Sequence, residues 1–307
     1  MFSSNVAADI SFVSVRLTNS NQYVSMEDTM KLGCGTVLFR KFDLERGLSA
    51  IRDIGFEYFE TQAVGPWCPH VNVEKDDPEQ LVKLKNKYGF KGITGLWMLN
   101  GNIICNENSI SSGIRSIEWA AAAGIPMIHT GDGHKPQDIS DEDAFKIFAE
   151  RMEILLEYAK KNNVKIAIEP HGTFSLTVAG LRKMMALGSS DVLGINYDAC
   201  NVHRAGYVES GNNQSGWDSN SSAEDEVLVL KGIGDRVIHC HAKDYIMAEK
   251  RCVAIGTGEV RTKECVDYLK SIGYQGAVSL ETEGGDDFDE VVKLATDSYR
   301  YLSNLII

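Results

Sequence analysis

The sequence predicts a (β/α)8 TIM barrel, an α/β fold, and three observations lead there. Short β-type runs alternate strictly with longer helical patterns from Lys31 onward. Eight of each are present, and together they fill about 270 residues, the size of one such barrel. No G-x-G-x-x-G turn follows the first strand: Gly33-Cys34-Gly35 runs on into Thr36, Val37 and Phe39, which argues against an open doubly wound sheet.

The strands are expected at Lys31–Gly35, Phe56–Thr61, Gly92–Trp97, Ile125–Thr130, Val164–Glu169, Val192–Asp198, Arg236–His241 and Ala277–Glu281. The clearest helix covers Glu142–Asn162. There Ala144, Phe148, Met152, Leu155, Leu156 and Ala159 recur at three- and four-residue steps, the stripe of an amphipathic helix. Other helices are expected at Asp43–Ile54, Pro78–Tyr88, Ile110–Ala123, Thr177–Leu187, Ser221–Ile233, Thr262–Ile272 and Asp287–Leu302. Gly55, Gly124, Gly234 and Gly273 stand where left-handed caps would end helices. The longest connection, from Asn201 to about Ser221, is polar and overhangs the end of the barrel where active sites form. It reads equally as a lid, a subunit contact or a passive insertion. Residues 1–29, rich in Ser and Asn, lack the basic and apolar regions of a signal peptide and form an N-terminal extension, with a short strand conceivable at Ile10–Val15. Residues 30–307 form the barrel domain.

Bulk composition narrows the partners. The formal net charge of −12 disfavours nucleic acid and anionic membrane surfaces, both of which select for lysine and arginine. No run approaches the length of a membrane span. Seven dispersed cysteines without a C-x-x-C pair read as reduced thiols of a cytoplasmic protein. A small neutral or weakly charged ligand is the expected partner, with a homo-oligomer left open.

Strand parity locates the polar residues. Alternate side chains on a barrel strand face the interior or the helices, and large apolar residues take the helix side. Ile166 and Ile168 facing outward put Glu169 inside. Leu193, Ile195 and Tyr197 outward leave Gly194, Asn196 and Asp198 inside. Ile238 and Cys240 outward leave Val237, His239 and His241 inside, and Val278 and Leu280 outward leave Ser279 and Glu281 inside. Glu169, Asp198, His241 and Glu281 therefore gather at the C-terminal rim. Three carboxylates cannot converge there without compensation, so one divalent metal ion is expected. Oxygen ligands with one imidazole suit Mn²⁺, with Mg²⁺, Co²⁺ and Zn²⁺ as further candidates.

Five stretches carry a family resemblance: Ile168-Glu169-Pro170-His171-Gly172, Asn196-Tyr197-Asp198-Ala199-Cys200-Asn201, His239-Cys240-His241-Ala242-Lys243-Asp244, Gly256-Thr257-Gly258-Glu259-Val260 and Ser279-Leu280-Glu281-Thr282-Glu283. They resemble the sugar phosphate isomerase/epimerase superfamily, the xylose isomerase-like TIM barrels. The resemblance implies that Glu169, Asp198, His241 and Glu281 bind one divalent metal and that Glu169 and Glu281 are the catalytic acid and base. The implied activity is sugar isomerisation or epimerisation of a ketose, aldose or related polyol through a metal-bound enediolate. A lyase or dehydratase, of the inosose dehydratase or C-glycoside-cleaving kind, shares the same first step and stays open. An endonuclease IV-like nuclease is the remote alternative, since several further histidine ligands would be required. One departure stands out: many ketose epimerases of this type have a substrate-contacting histidine three residues after the aspartate, where this chain has Asn201, with His203 beyond it.

Further substrate contacts are expected from His171, two residues past Glu169, from His239 one layer below His241, and from Lys243, placed to meet an anionic oxygen. Asn201, His203 and Arg204 lie within reach, while His129 and Glu60 end other strands. Trp67 and Trp97 would either stack on a sugar face or pack in the core. With no clear phosphate cradle, an unphosphorylated substrate is expected.

Overall fold

The computed structural model describes residues 30–205 and 224–307. The extension 1–29 and most of the long connection, 206–223, lie outside the described residues. Eight parallel strands close into a barrel: β1 (Lys31–Gly35), β2 (Tyr58–Gln62), β3 (Gly92–Trp97), β4 (Met127–Gly133), β5 (Lys165–Gly172), β6 (Leu193–Asp198), β7 (Val237–Ala242) and β10 (Ala277–Leu280). Around the barrel the order is β1-β10-β7-β6-β5-β4-β3-β2, so sequence neighbours are spatial neighbours. Two short strands, β8 (Asp244–Ile246) and β9 (Arg251–Val253), pair antiparallel beyond β7. This hairpin was not anticipated: its strands are too short for a periodic signal. The Asp244 carboxylate holds the turn that follows, accepting from the backbone N–H groups of Gly256, Gly258 and Val260.

The helices are α1 (Leu44–Ile54), α2 (Pro78–Lys87), α3 (Ser109–Ala122), α4 (Asp141–Lys161), α5 (Val178–Met185), α6 (Ala199–Ala205), α7 (Glu226–Ile233), α8 (Thr262–Ser271) and α9 (Phe288–Ile306). Side chains of Asp43, Asp77, Ser140, Thr177, Asp225 and Asp287 cap the helices they precede by accepting from first-turn N–H groups. The stripe expected on α4 is buried at all six positions. Each of its large apolar side chains contributes roughly 1.5–3 kcal/mol relative to exposure. Gly55, Gly124 and Gly273 adopt the expected positive φ, but Gly234 does not: at φ −56° it opens a 3-10 turn, Gly234–Arg236, that carries the chain into β7. The long connection after β6 begins as helix α6, where a loop was expected.

The parity argument holds where it places the rim residues and slips at one point below them. Ile195 pairs with Val237 but Asn196 pairs with His239, so β7 carries one extra residue, Ile238. A Cβ on Gly194 would come within 2.6 Å of Ile238, which puts that side chain on the interior face instead of the helix face, and Val237 joins the outer apolar core. Past the bulge the alternation is restored, so His239 and His241 point inward with Asn196 and Asp198. A second bulge, on β5, lets β4 and β5 run on to pair Gly133 with Gly172.

One close approach sets the middle layer of the barrel. The imidazole of His129 lies over Gly95, where a Cβ would fall 2.3 Å from the ring. Gly95→Ala should therefore force His129 to move and cost about 1–3 kcal/mol in urea unfolding, the range for overpacked interiors. An unchanged unfolding midpoint would show that the ring has room elsewhere.

Candidate metal centre

Glu169 in the C-terminal half of β5, Asp198 at the end of β6 and His241 near the end of β7 each bring one ligand atom to within 4.8 Å of the others, and all three are buried. Each reaches this point because it faces inward on the C-terminal half of its strand, where the barrel rim begins. His241 Nδ1 is 3.1 Å from Glu169 Oε2 and 4.0 Å from Glu281 Oε2. Glu281, just past β10, thus borders the group without belonging to its tightest part. The remaining lone pairs of Glu169 are oriented by two amides: Asn201 Nδ2 donates to Oε1 at 2.7 Å and Asn196 Nδ2 to Oε2 at 3.0 Å. Gln62 Nε2 donates to Glu281 Oε1 at 3.2 Å, and the Asn201 backbone N–H to Asp198 Oδ1 at 3.0 Å.

Two carboxylate oxygens remain, Asp198 Oδ2 and Glu281 Oε2, both buried and met by a charged group instead of an amide. The Lys243 ammonium sits between them, 3.3 Å from the first and 2.5 Å from the second. Burial works to raise the Glu281 pKa, yet Lys243 and His241 outweigh it and bring it down to about 2. Burial raises that of Asp198, and the neighbouring glutamates add to the rise against the pull of Lys243. Burial would lower the pKa of His241, but Glu60 and Glu169 on either side push it well above the ordinary imidazole value. The protein thus gathers three acids and covers them with its own two cations. Buried Glu and His side chains in this arrangement are consistent with a divalent metal site.

A cavity of about 770 Å³ opens over this group. Glu169, Glu281, Asn201, Lys243, His171 and Trp97 all reach its wall, as does Arg204. Trp97 meets His171 edge-on with ring centroids 5.9 Å apart, and Trp67 is 41% exposed, so both tryptophans belong to the wall and not to the core. Three expected contacts lie elsewhere. His203 is outside the described lining and turns to Glu226, 3.5 Å away. His129 and His239 are fully buried one layer down, their rings 4.4 Å apart.

Residues 48–305 match the family described as xylose isomerase-like TIM barrel. The chain belongs to that family. An uncharacterized protein of Methanocaldococcus jannaschii, MJ1311, is 26% identical over 269 residues, covering 83% of this chain and 84% of the relative. Among solved structures, a D-tagatose 3-epimerase-like protein superposes with TM-score 0.69 at 20% identity, covering 90% of this chain and 98% of its own. A D-allulose 3-epimerase from Methylomonas sp., in complex with D-allulose, superposes with TM-score 0.67 at 14% identity, covering 90% and 97%. At such identities the likeness to solved structures is one of fold. No helix of the described residues is long and apolar enough to cross a membrane.

Sequence reasoning passed over Gln62 and Asn196, which orient the carboxylates of this xylose isomerase-like barrel. Asn196 shares its face with Asp198, and Gln62 lies two residues past Glu60, so the parity that found the acids also contained these amides. Replacing the buried tethered cation, Lys243→Met, should destabilise the chelator-treated protein by about 3–5 kcal/mol, because the acids are left uncovered. The same variant should gain more thermal stability from added Mn²⁺ than the wild type does. Equal melting-temperature gains in the two proteins would show that Lys243 and the ion do not compete for these oxygens.

Proposed function

We propose that this protein is a divalent-metal-dependent sugar isomerase or epimerase acting on an unphosphorylated ketose, aldose or related polyol, with Mn²⁺ the preferred ion. The observation that carries the reading is the placement of two glutamates, Glu169 and Glu281, on the wall of one cavity beside Asp198 and His241. Family membership and fold-level likeness to sugar 3-epimerases support it.

A cation held by Glu169, Asp198, His241 and Glu281 would supply Lewis acidity, lowering the cost of the negative charge that grows on a carbonyl oxygen as the neighbouring C–H bond breaks. The residues of the chain do the rest. Glu281, held ionised by Lys243 and His241, is competent to take a proton at neutral pH, and Glu169 serves as the opposite acid–base group. Asn196 and Asn201 hold both oxygens of Glu169, which fixes the direction in which it presents a proton. Lys243 brings positive charge to the wall where a substrate oxygen would lie. Trp67 and Trp97 offer flat apolar surface to the C–H face of a sugar ring or chain.

The test is a screen of ketoses, aldoses, inososes and 3-keto-sugars in D₂O with Mn²⁺, read by NMR for deuterium at carbon next to a carbonyl. Exchange is expected for one substrate group. It should fall by about 10²–10⁴-fold in Glu169→Gln and in Glu281→Gln, the contribution typical of a general acid or base, with the fold intact by circular dichroism. Wild-type exchange in either variant would sink the assignment.

A further inference from the structure

Beneath the carboxylates lies a second group of different chemistry. Glu60 in the middle of β2, His129 on β4, and His239 and His241 on β7 each offer an atom within 4.8 Å of the others, and all four are buried. None of Glu60, His129 and His239 lines the cavity described above.

Hydrogen bonds fix where the protons are. Asn196 gives its Nδ2 to Glu169, so its Oδ1 is the atom that faces His239 Nδ1, at 2.8 Å. An amide oxygen only accepts, so Nδ1 carries the proton and Nε2 of the neutral ring presents a lone pair. That lone pair looks at Glu60 Oε2, also an acceptor, across 3.2 Å. Neither atom makes a hydrogen bond to any described residue, and neither does His129 Nε2. Buried polar atoms left so cost about 1–3 kcal/mol each, and two facing acceptors repel unless something positive lies between them.

A metal ion with bonds of about 2.0–2.1 Å in tetrahedral geometry sets its ligand atoms about 3.3 Å apart. The 3.2 Å between Glu60 Oε2 and His239 Nε2 suits that spacing. Gly95 supplies the space that lets the His129 ring lie in this layer.

We propose that Glu60, His129 and His239 hold a second metal ion, zinc by preference, one layer below the carboxylate site. Two imidazoles and a single carboxylate favour zinc, whereas the oxygen-rich set above favours manganese or magnesium. Glu60 serves both layers: Oε2 faces the inner ion while Oε1 stays 2.8 Å from His241 Nε2. The inner ion thereby fixes Glu60, and Glu60 fixes the ring of His241, which carries the outer ligand. Buried away from the cavity, this ion positions other groups and does not touch substrate. The inference goes beyond the sugar isomerase reading and does not depend on it.

Full-length protein stripped with chelator and reloaded with Zn²⁺ alone provides the test, read as metal per chain by mass spectrometry and as anomalous scattering from crystals at the zinc edge. The wild type should take up about two ions per chain, one of them with anomalous density between Glu60, His129 and His239. His239→Gln and His129→Gln, folded by circular dichroism, should each lose that density and bind half as much zinc while retaining the peak at Glu169 and Asp198. If a variant does not fold, the wild-type anomalous map decides alone. Wild-type crystals with density at the upper site only would overturn the proposal, leaving a proton shared by Glu60 and His239 in its place and the sugar isomerase reading untouched. Undiminished zinc in both histidine variants would overturn it equally.

Discussion

The rest of the site follows from a cost of charge: Glu169, Asp198 and Glu281 face one point at the barrel rim, buried, in a medium where like charges repel strongly. The barrel forces this, since parallel strands of matched tilt deliver their last inward residues to one rim. In the protein itself, Lys243 and the His241 imidazole cover the charge, and amides from Asn196, Asn201 and Gln62 bind the remaining lone pairs. The arrangement that relieves the acids is also what a dissociable cation would find: oriented oxygens, one imidazole and an adjoining cavity.

Lys243 gives this layer a second character. A lysine tethered two residues beyond His241 occupies the space between Asp198 and Glu281, 3.3 Å from the first and 2.5 Å from the second, so the positive charge of the chain already stands where a divalent ion would meet those oxygens. The same ammonium forms part of the wall of the cavity.

How much of this was legible in the sequence depended on period and on distance along the chain. The eight strands and the inward placement of Glu169, Asp198, His241 and Glu281 came from two-residue alternation, which is local. What alternation cannot register is an inserted residue. The bulge at Ile238 reversed the faces of Val237 and Ile238, and the histidines kept their places only because the bulge lies before them. Gln62 and Asn196 were hidden for another reason: an amide earns attention only through its partner, and the partners lie 219 and 27 residues away. His203 lies on helix α6, where a loop was expected, and its ring stands 3.5 Å from Glu226. Whether Trp67 and Trp97 would meet the cavity or the core stayed open because residues near strand ends differ in fate with each loop's path, which no periodicity encodes; both line the cavity.

The layer beneath shows why hydrogen-bond direction matters more than proximity. Glu60 and His239 would ordinarily pass as an ion pair, 3.2 Å apart and buried. The chain running from Glu169 through Asn196 to His239 excludes that simple reading for a neutral ring, because each bond in it has a fixed donor. Glu169 accepts, so the Asn196 amide nitrogen must face it. The amide oxygen then faces His239, so Nδ1 must donate and Nε2 must be bare. A decision made at the outer carboxylates is thus transmitted by two side chains to the inner cluster, where it leaves lone pairs opposed. Whatever positive species resolves that opposition, proton or metal ion, its presence is dictated from the rim, and the two layers of the barrel interior cannot be assigned protons independently.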